Sequence, residues 1–405
     1  MLTIKNAYYR KIAVLFSGTG LAQLINLVGL PFLTRLYSPE HFAWFSFYSA
    51  CVAILTLVAT LKFENHILLS KSQSGVTHSV SLVKIISLFV SSFVALSALV
   101  LSFFIKLNLE LVLFISLGSG FAAWNLANYY LLNRLGEYSV MARSRVLGAV
   151  VFLISAISLT DFIYGLLWAS LAGVLSSVVF TSINGGARRV NINKSLRLLK
   201  SETSYYRIVL PSSFLDVLSS QIPLIFSKGN FSLDKVGNYG LYNKCVSLPS
   251  AILGKAVADV FKKEAFKLLN ENQSAKAIYL DTAKKMLYIG LLPYILLQFY
   301  GGYLFMFAFG AEWYFAGEIA QIMAIRFYMG FVISPMSTII YFGNYKKLDF
   351  IIQFLMALSI GACLIVSYLF NDFLLMIKGL TISYVVKYIL QFWVGYRIAC
   401  SKVVY

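Results

Sequence analysis

Charged residues are scarce in this chain. Asp, Glu, Lys and Arg together make up 12% of its 405 residues, about half the share found in soluble globular domains. So little charge cannot cover the surface of a water-exposed globule of this length, which argues against soluble enzymes, disordered chains and collagen-like fibres. Acids are scarcer than bases, with 16 Asp and Glu against 34 Lys and Arg and a formal charge of +18. The four cysteines (Cys51, Cys245, Cys363, Cys400) are scattered without a Cys-x-x-Cys spacing, so neither a disulfide framework nor a metal site is supported. The three histidines (His41, His66, His78) are equally dispersed. No nucleophile–base pair and no phosphate-cradling glycine loop occurs, and no cofactor is expected.

What the chain has instead is apolar length. Hydrophobic residues make up 59% of it, and the mean hydropathy is +0.78. A spanning helix needs about 20 mostly apolar residues to cross a hydrocarbon core of about 30 Å. Windows without Asp, Glu, Lys or Arg run over 12–34, 42–61, 85–105, 111–133, 162–187, 286–311 and 350–371. Five more, with one or two interior charges, run over 139–160, 206–228, 236–259, 317–342 and 374–397. The pattern predicts an all-α polytopic membrane protein with about twelve transmembrane helices. The first window follows Lys5, Arg10 and Lys11 and lacks an Ala-x-Ala pattern, so it reads as an uncleaved anchor.

The placement of the bases accounts for the net charge. With the N-terminus cytoplasmic, 25 of the 34 Lys and Arg fall on the inner side. Arg35, Lys106, Lys228, Lys235 and Lys378 fall outside, and Lys62, Lys244, Arg326 and Lys387 fall within spans. This is a strong positive-inside bias, placing both termini in the cytoplasm. Nucleic acid is not needed to explain the basicity.

A polar, basic stretch at 185–205 separates residues 1–184 from residues 206–405, each with six expected spans. Ser38-Pro39-Glu40-His41-Phe42-Ala43-Trp44-Phe45-Ser46-Phe47-Tyr48 follows the first span. Ser232-Leu233-Asp234-Lys235-Val236-Gly237-Asn238-Tyr239-Gly240-Leu241-Tyr242 follows the seventh, with Pro31 and Pro223 correspondingly upstream. The expectation is two pseudo-symmetric six-helix bundles, a transporter architecture with its substrate site between the halves. Six of the seven prolines (Pro31, Pro211, Pro223, Pro249, Pro293, Pro335) fall within expected spans and would kink them. The amphipathic stretch 260–275 is expected on the inner membrane surface, with its lysines toward anionic headgroups.

Charges inside spans are costly and by default face a bundle interior. Lys62, Lys244, Arg326 and Lys387, with Arg35 at the outer end of the first span, are candidates to line a cationic cavity for an anionic ligand. The bland reading is snorkelling, or pairing with an acid such as Asp216 or Glu64. Lys62 and Glu64, two residues apart on a helix, would point in different directions. Asp216 and Glu64 are candidates for binding a coupling proton or cation, with a static salt bridge as the alternative. Asn125 and Asn128, beside Trp124 and Tyr129, suit sugar contact, although Asn also joins helices to one another.

The run Ser17-Gly18-Thr19-Gly20-Leu21-Ala22-Gln23, then Leu30-Pro31-Phe32-Leu33-Thr34-Arg35-Leu36-Tyr37-Ser38-Pro39-Glu40-His41-Phe42, then Leu61-Lys62-Phe63-Glu64-Asn65-His66-Ile67-Leu68-Leu69 resembles the Wzx-type polysaccharide-biosynthesis flippases. These belong to the multidrug/oligosaccharidyl-lipid/polysaccharide exporter superfamily. Gly237-Asn238-Tyr239 and Leu248-Pro249-Ser250-Ala251-Ile252-Leu253-Gly254 fit the same family. The chain departs from it at Lys62, where Arg is usual, and at Ala43, where Gly is usual. The resemblance implies a MATE-like fold and an ion-coupled, alternating-access carrier in the bacterial inner membrane. Its cargo would be an undecaprenyl-diphosphate-linked oligosaccharide, an O-antigen or related repeat unit moved from the cytoplasmic to the periplasmic leaflet. H+ or Na+ would couple the cycle, amid membrane lipids and with the glycan polymerase and chain-length regulator as partners. Two other readings remain: a multidrug or cation antiporter of the same superfamily, and a membrane-embedded glycan polymerase or ligase.

Overall fold

The computed structural model describes residues 2–70, 72–104, 108–184, 195, 203–249, 253–342 and 345–400. These residues form fourteen α-helices, and among them there is no strand. The first seven are α1 (Leu2–Leu36), α2 (Pro39–Thr60), α3 (Phe63–Leu69), α4 (Gln73–Ser102), α5 (Leu109–Leu135), α6 (Tyr138–Ser158) and α7 (Gly165–Asn184). The others are α8 (Thr203–Asn230), α9 (Leu233–Pro249), α10 (Lys255–Asn270), α11 (Lys276–Phe309), α12 (Tyr314–Ile333), α13 (Lys346–Leu369) and α14 (Phe373–Cys400). All except α3 and α10 stand at the twelve expected spans. Nine of them (α2, α4–α7 and α11–α14) are long and apolar enough to cross a membrane. A helix satisfies its backbone internally, which is what a segment in hydrocarbon requires. The chain is an all-α, polytopic membrane protein.

Two compact units divide the chain. One comprises Met1–Tyr37 and Trp44–Leu210, the other Ser38–Ala43 and Pro211–Tyr405. The division therefore falls inside α8, and the start of α2 groups with the second unit. There Phe42 meets the edge of Trp313 at 4.9 Å between ring centroids. A Cβ on Gly237 would run into the Pro39 carbonyl. The two repeat copies occupy like places: Ser38 and Ser232 each stand just before a helix, and Pro31 and Pro223 each lie inside the preceding one. Of the expected basic linker 185–205, all but Ser195 and the first residues of α8 lie outside the described residues.

In unit 1 small residues bring helices into close contact, the usual way to gain packing energy in lipid. A Cβ on Gly18 of α1 would overlap Ala142 of α6. Between α6 and α7, Gly148 and Gly173 face each other's carbonyls. Beside them Ser177 Oγ donates to the Ser144 carbonyl at 3.0 Å. Asn128 Nδ2, on a residue 3% exposed, donates to Thr181 Oγ1 at 3.1 Å and Ser182 Oγ at 3.0 Å. The amide thus joins α5 to α7. Asn128→Val is expected to lower unfolding stability in detergent by about 1 kcal/mol, the usual range for such bonds, with the helical circular dichroism of the folded protein unchanged.

A turn closes the second expected span, and the tenth is cut short. The second ends at Thr60, because Leu61 (φ 46°) and Lys62 (φ 61°) form a left-handed turn before α3. Within the eighth, α9 is described as far as Pro249, and α10 runs from Lys255. The tenth ends at Ile333; Pro335 follows, and a 3-10 helix covers Ser337–Tyr341. Proline lacks the N–H that would continue the ladder and clashes with the preceding turn. Pro335 therefore follows a helix end, whereas Pro31, Pro211, Pro223 and Pro293 lie inside helices.

In unit 2 the apolar face of α10 is covered by protein. Phe261, Ala265 and Leu269 belong to one buried cluster with Tyr279, Met286, Ile339 and Phe342. The opposite face exposes Lys262, Lys263 and Lys267. The alternation that suggested membrane-surface immersion thus arises from packing within unit 2.

Candidate functional site

A cavity of about 350 Å³ opens within unit 2, and every side chain lining it is polar. Four helices supply the charged and amide groups. Asp216 comes from α8, Arg326 from α12, Asp349 and Gln353 from α13, and Lys387 and Gln391 from α14. Ser220, Ser334, Ser337, Tyr384 and Tyr388 complete the lining. The spacing explains why the side chains converge. Asp349 and Gln353 are four residues apart on α13, and Tyr384, Lys387, Tyr388 and Gln391 recur at three- and four-residue intervals on α14. Each set occupies one helix face.

Arg326 is half-buried, its guanidinium carbon 3.6 Å from the centroid of the Tyr384 ring. Its Nη1 contacts the Met323 sulfur at 3.8 Å. Phenols of Tyr239, Tyr242 and Tyr388 also lie within electrostatic reach. The ion pairs among the described residues are Lys62–Glu64, Lys285–Asp281 and Lys387–Asp216; none includes Arg326. Tyr239 engages part of the guanidinium, and without a carboxylate partner its remaining donors match the oxygens of a phosphate or carboxylate.

The cavity carries acids as well as bases. Lys387, with a side chain 10% exposed, pairs with the more open Asp216 at 3.1 Å. Asp349 is 6% exposed and accepts from Ser212 Oγ at 2.9 Å. Gln353 Oε1 is buried and has no hydrogen-bond partner among the described residues. The expected purely cationic lining is therefore mixed. Lys387 and Asp216, one sought as an anion ligand and the other as an ion-coupling group, face each other.

The remaining candidates lie elsewhere. Lys244 is half-buried on α9 and is not among the cavity lining. Arg35 ends α1 and is exposed. Lys62 and Glu64 form an ion pair at 3.8 Å, contrary to the divergent directions expected of one continuous helix. The left-handed turn at Lys62 lets its side chain fold over the start of α3. Glu64 is 3% exposed, and its Oε2 has no hydrogen-bond partner among the described residues. Asn125 and Asn128 lie on α5, the latter in the contact with α7 described above. Asp349, Gln353, Gln391 and the two tyrosines are the residues that sequence reasoning missed. The periodic polar positions on α13 and α14 are the signal that reveals them.

The fold is that of polytopic transporters. It is similar to that of the lipid II flippase MurJ in an inward closed conformation, with a TM-score of 0.67 and 14% identity over 95% of this chain and 87% of that one. It is also similar to an outward-facing multidrug resistance MATE transporter of the MOP superfamily, with a TM-score of 0.59 and 16% identity over 97% and 96% of the two chains. In sequence, the model of the polysaccharide biosynthesis protein family matches residues 32–317, more than half of the chain. The chain belongs to that family. No curated protein matches it in sequence.

Proposed function

We propose that this protein is a flippase for an undecaprenyl-diphosphate-linked oligosaccharide, an O-antigen or related surface-glycan repeat unit. It carries the glycolipid from the cytoplasmic to the periplasmic leaflet of the bacterial inner membrane, with both termini cytoplasmic. H+ or Na+ coupling drives the alternation. The observation that carries this reading is Arg326, a guanidinium stacked on Tyr384, without an ion pair and open to a wholly polar cavity. A diphosphate head needs such a fork to replace its hydration shell, while neighbouring amides and hydroxyls suit sugar hydroxyls. Family membership and the fold shared with a lipid II flippase support the same substrate class. Within this reading the Lys387–Asp216 pair is the coupling element: protonation of the open Asp216 releases Lys387 toward the anion.

The antiporter reading draws on Asp216 and Asp349, because cation carriers use interior acids. Here Asp216 is held by Lys387 and Asp349 by Ser212, which favours the anionic cargo. Deleting the gene in its host separates the two. Lipid-linked oligosaccharide is expected to accumulate while surface glycan disappears, with drug susceptibility unchanged. Intact surface glycan together with increased drug sensitivity would transfer the assignment to the antiporter.

A further inference from the structure

Unit 1 holds a second group of interior cations that the cavity in unit 2 does not use. Sequence counting places Lys84 and Arg145 among the inner-side charges, yet both are half-buried, on α4 and α6. Arg145 lies with its guanidinium carbon 4.2 Å from the centroid of the Tyr129 ring. Its Nη1 donates to Thr19 Oγ1 of α1. The overlap that forbids a side chain at Gly18, one residue before, holds α1 and α6 close enough for that bond. Lys84 Nζ lies 4.8 Å from the centroid of the Trp124 ring. Neither cation belongs to an ion pair among the described residues.

The same stretch of α5 carries two buried polar atoms without hydrogen-bond partners among the described residues, Trp124 Nε1 and Asn125 Oδ1, while the Tyr129 hydroxyl lies within reach of Thr19. Buried polar atoms in a native protein are almost always satisfied, so two on adjacent residues call for a ligand. Asn125 and Tyr129 are four residues apart and share a helix face. Their chemistry narrows the class. A bare phosphate offers acceptors, which the Asn125 carbonyl oxygen cannot use, whereas a sugar hydroxyl donates to it. Aromatic faces suit the C–H faces of a pyranose, and the Arg145 fork suits a carboxylate.

We infer that unit 1 contains a recognition site for an acidic sugar of the cargo glycan, with Arg145 binding the sugar carboxylate and Asn125, Tyr129 and Trp124 binding its hydroxyls. The inference rests on the flippase reading for the identity of the glycan, but its residues are separate from the Arg326 cavity. It makes the transporter selective for repeat units that contain a uronic acid or a similar carboxylated sugar.

Calorimetric titration of the purified full-length protein in detergent tests it, with methyl glucuronide, methyl glucoside and inorganic pyrophosphate as probes. The glucuronide should bind at least about tenfold more tightly than the glucoside, the value of one charge-assisted contact. Arg145→Gln should remove that preference and leave pyrophosphate binding unchanged. Asn125→Leu, which keeps the charge, should weaken both sugars and supplies a second variant if Arg145→Gln fails to fold. Absence of glucuronide binding by the wild type, equal affinity for the two sugars, or an unchanged preference in folded Arg145→Gln would overturn the inference. Loss of pyrophosphate rather than glucuronide binding in Arg145→Gln would also overturn it, making the site a phosphate site. Pyrophosphate binding that survives Arg326→Gln would instead count against the flippase reading alone.

Discussion

Arg326→Gln is expected to abolish translocation while leaving the protein folded. A phosphate held by the guanidinium fork accepts two charge-assisted hydrogen bonds, each about 1.5–3 kcal/mol. Losing both corresponds to at least about a hundredfold loss of substrate affinity. Stability should fall by only about 1–3 kcal/mol, for the buried Tyr239 hydroxyl left without Arg326, because no carboxylate is orphaned. Lys387→Met differs on this point: it leaves Asp216 without its 3.1 Å partner, although Asp216 is open enough to be solvated. Arg326→Lys should restore only part of the activity, since an ammonium keeps the charge but neither the planar fork nor the stacking on Tyr384. The measurement is movement of a fluorescent undecaprenyl-diphosphate-linked oligosaccharide across proteoliposomes, paired with thermal unfolding of each variant. Wild-type transport in folded Arg326→Gln would remove the cavity in unit 2 from the mechanism.

Much of this architecture is legible in the sequence, and the exceptions have physical causes. Uncharged windows of spanning length locate the helices because hydrocarbon tolerates little else. The end of α12 is hidden by the same apolarity, since residues past Pro335 stay hydrophobic after the helix has stopped. At Lys62 the misreading comes from assuming helical geometry through residues 61–64, where two non-glycine residues adopt positive φ. Residue identity gives no warning of that turn, because neither Leu nor Lys favours it.

The candidate site was half legible. Single charges inside spans identify Arg326, Lys387 and Asp216 by their cost. Asp349 escapes notice because it follows Lys346 and Lys347 and reads as part of a loop, whereas α13 begins at Lys346 and carries it inward. Lys84 and Arg145 escape for the same reason: near the inner ends of spans, topology alone seems a sufficient account of a base. Counting charges by side assigns most bases a membrane face, but only packing shows which of them lie beside aromatic rings and orphaned amides.

Gly317→Val is expected to prevent the second unit from folding. Gly317 on α12 meets Gly301 and Gly302 on α11, and any Cβ there would lie 2.5 Å from the Gly302 Cα and collide with the Gly301 carbonyl. From the other helix, a Cβ on Gly301 would lie 2.6 Å from the Gly317 carbonyl. Both partners are backbone, so no rotamer change relieves the clash, and the helices must separate. Overpacking ordinarily costs about 1–3 kcal/mol, and a rigid backbone contact belongs at or above the top of that range. The contact lies in the long α11–α12 packing, so separating the helices there disturbs the main attachment of α11. Arg326 lies nine residues along the same α12, so displacing this contact also displaces the cavity. Gly361→Ala on α13 is the control: nothing lies within 4 Å of its Cβ position. Removing backbone freedom there should be neutral or stabilising by about 0.5–1 kcal/mol. Fluorescence-detected gel filtration and thermal unfolding of the two variants make the comparison. A Gly317→Val protein that elutes and melts like the wild type would mean that α11 and α12 do not meet at this contact.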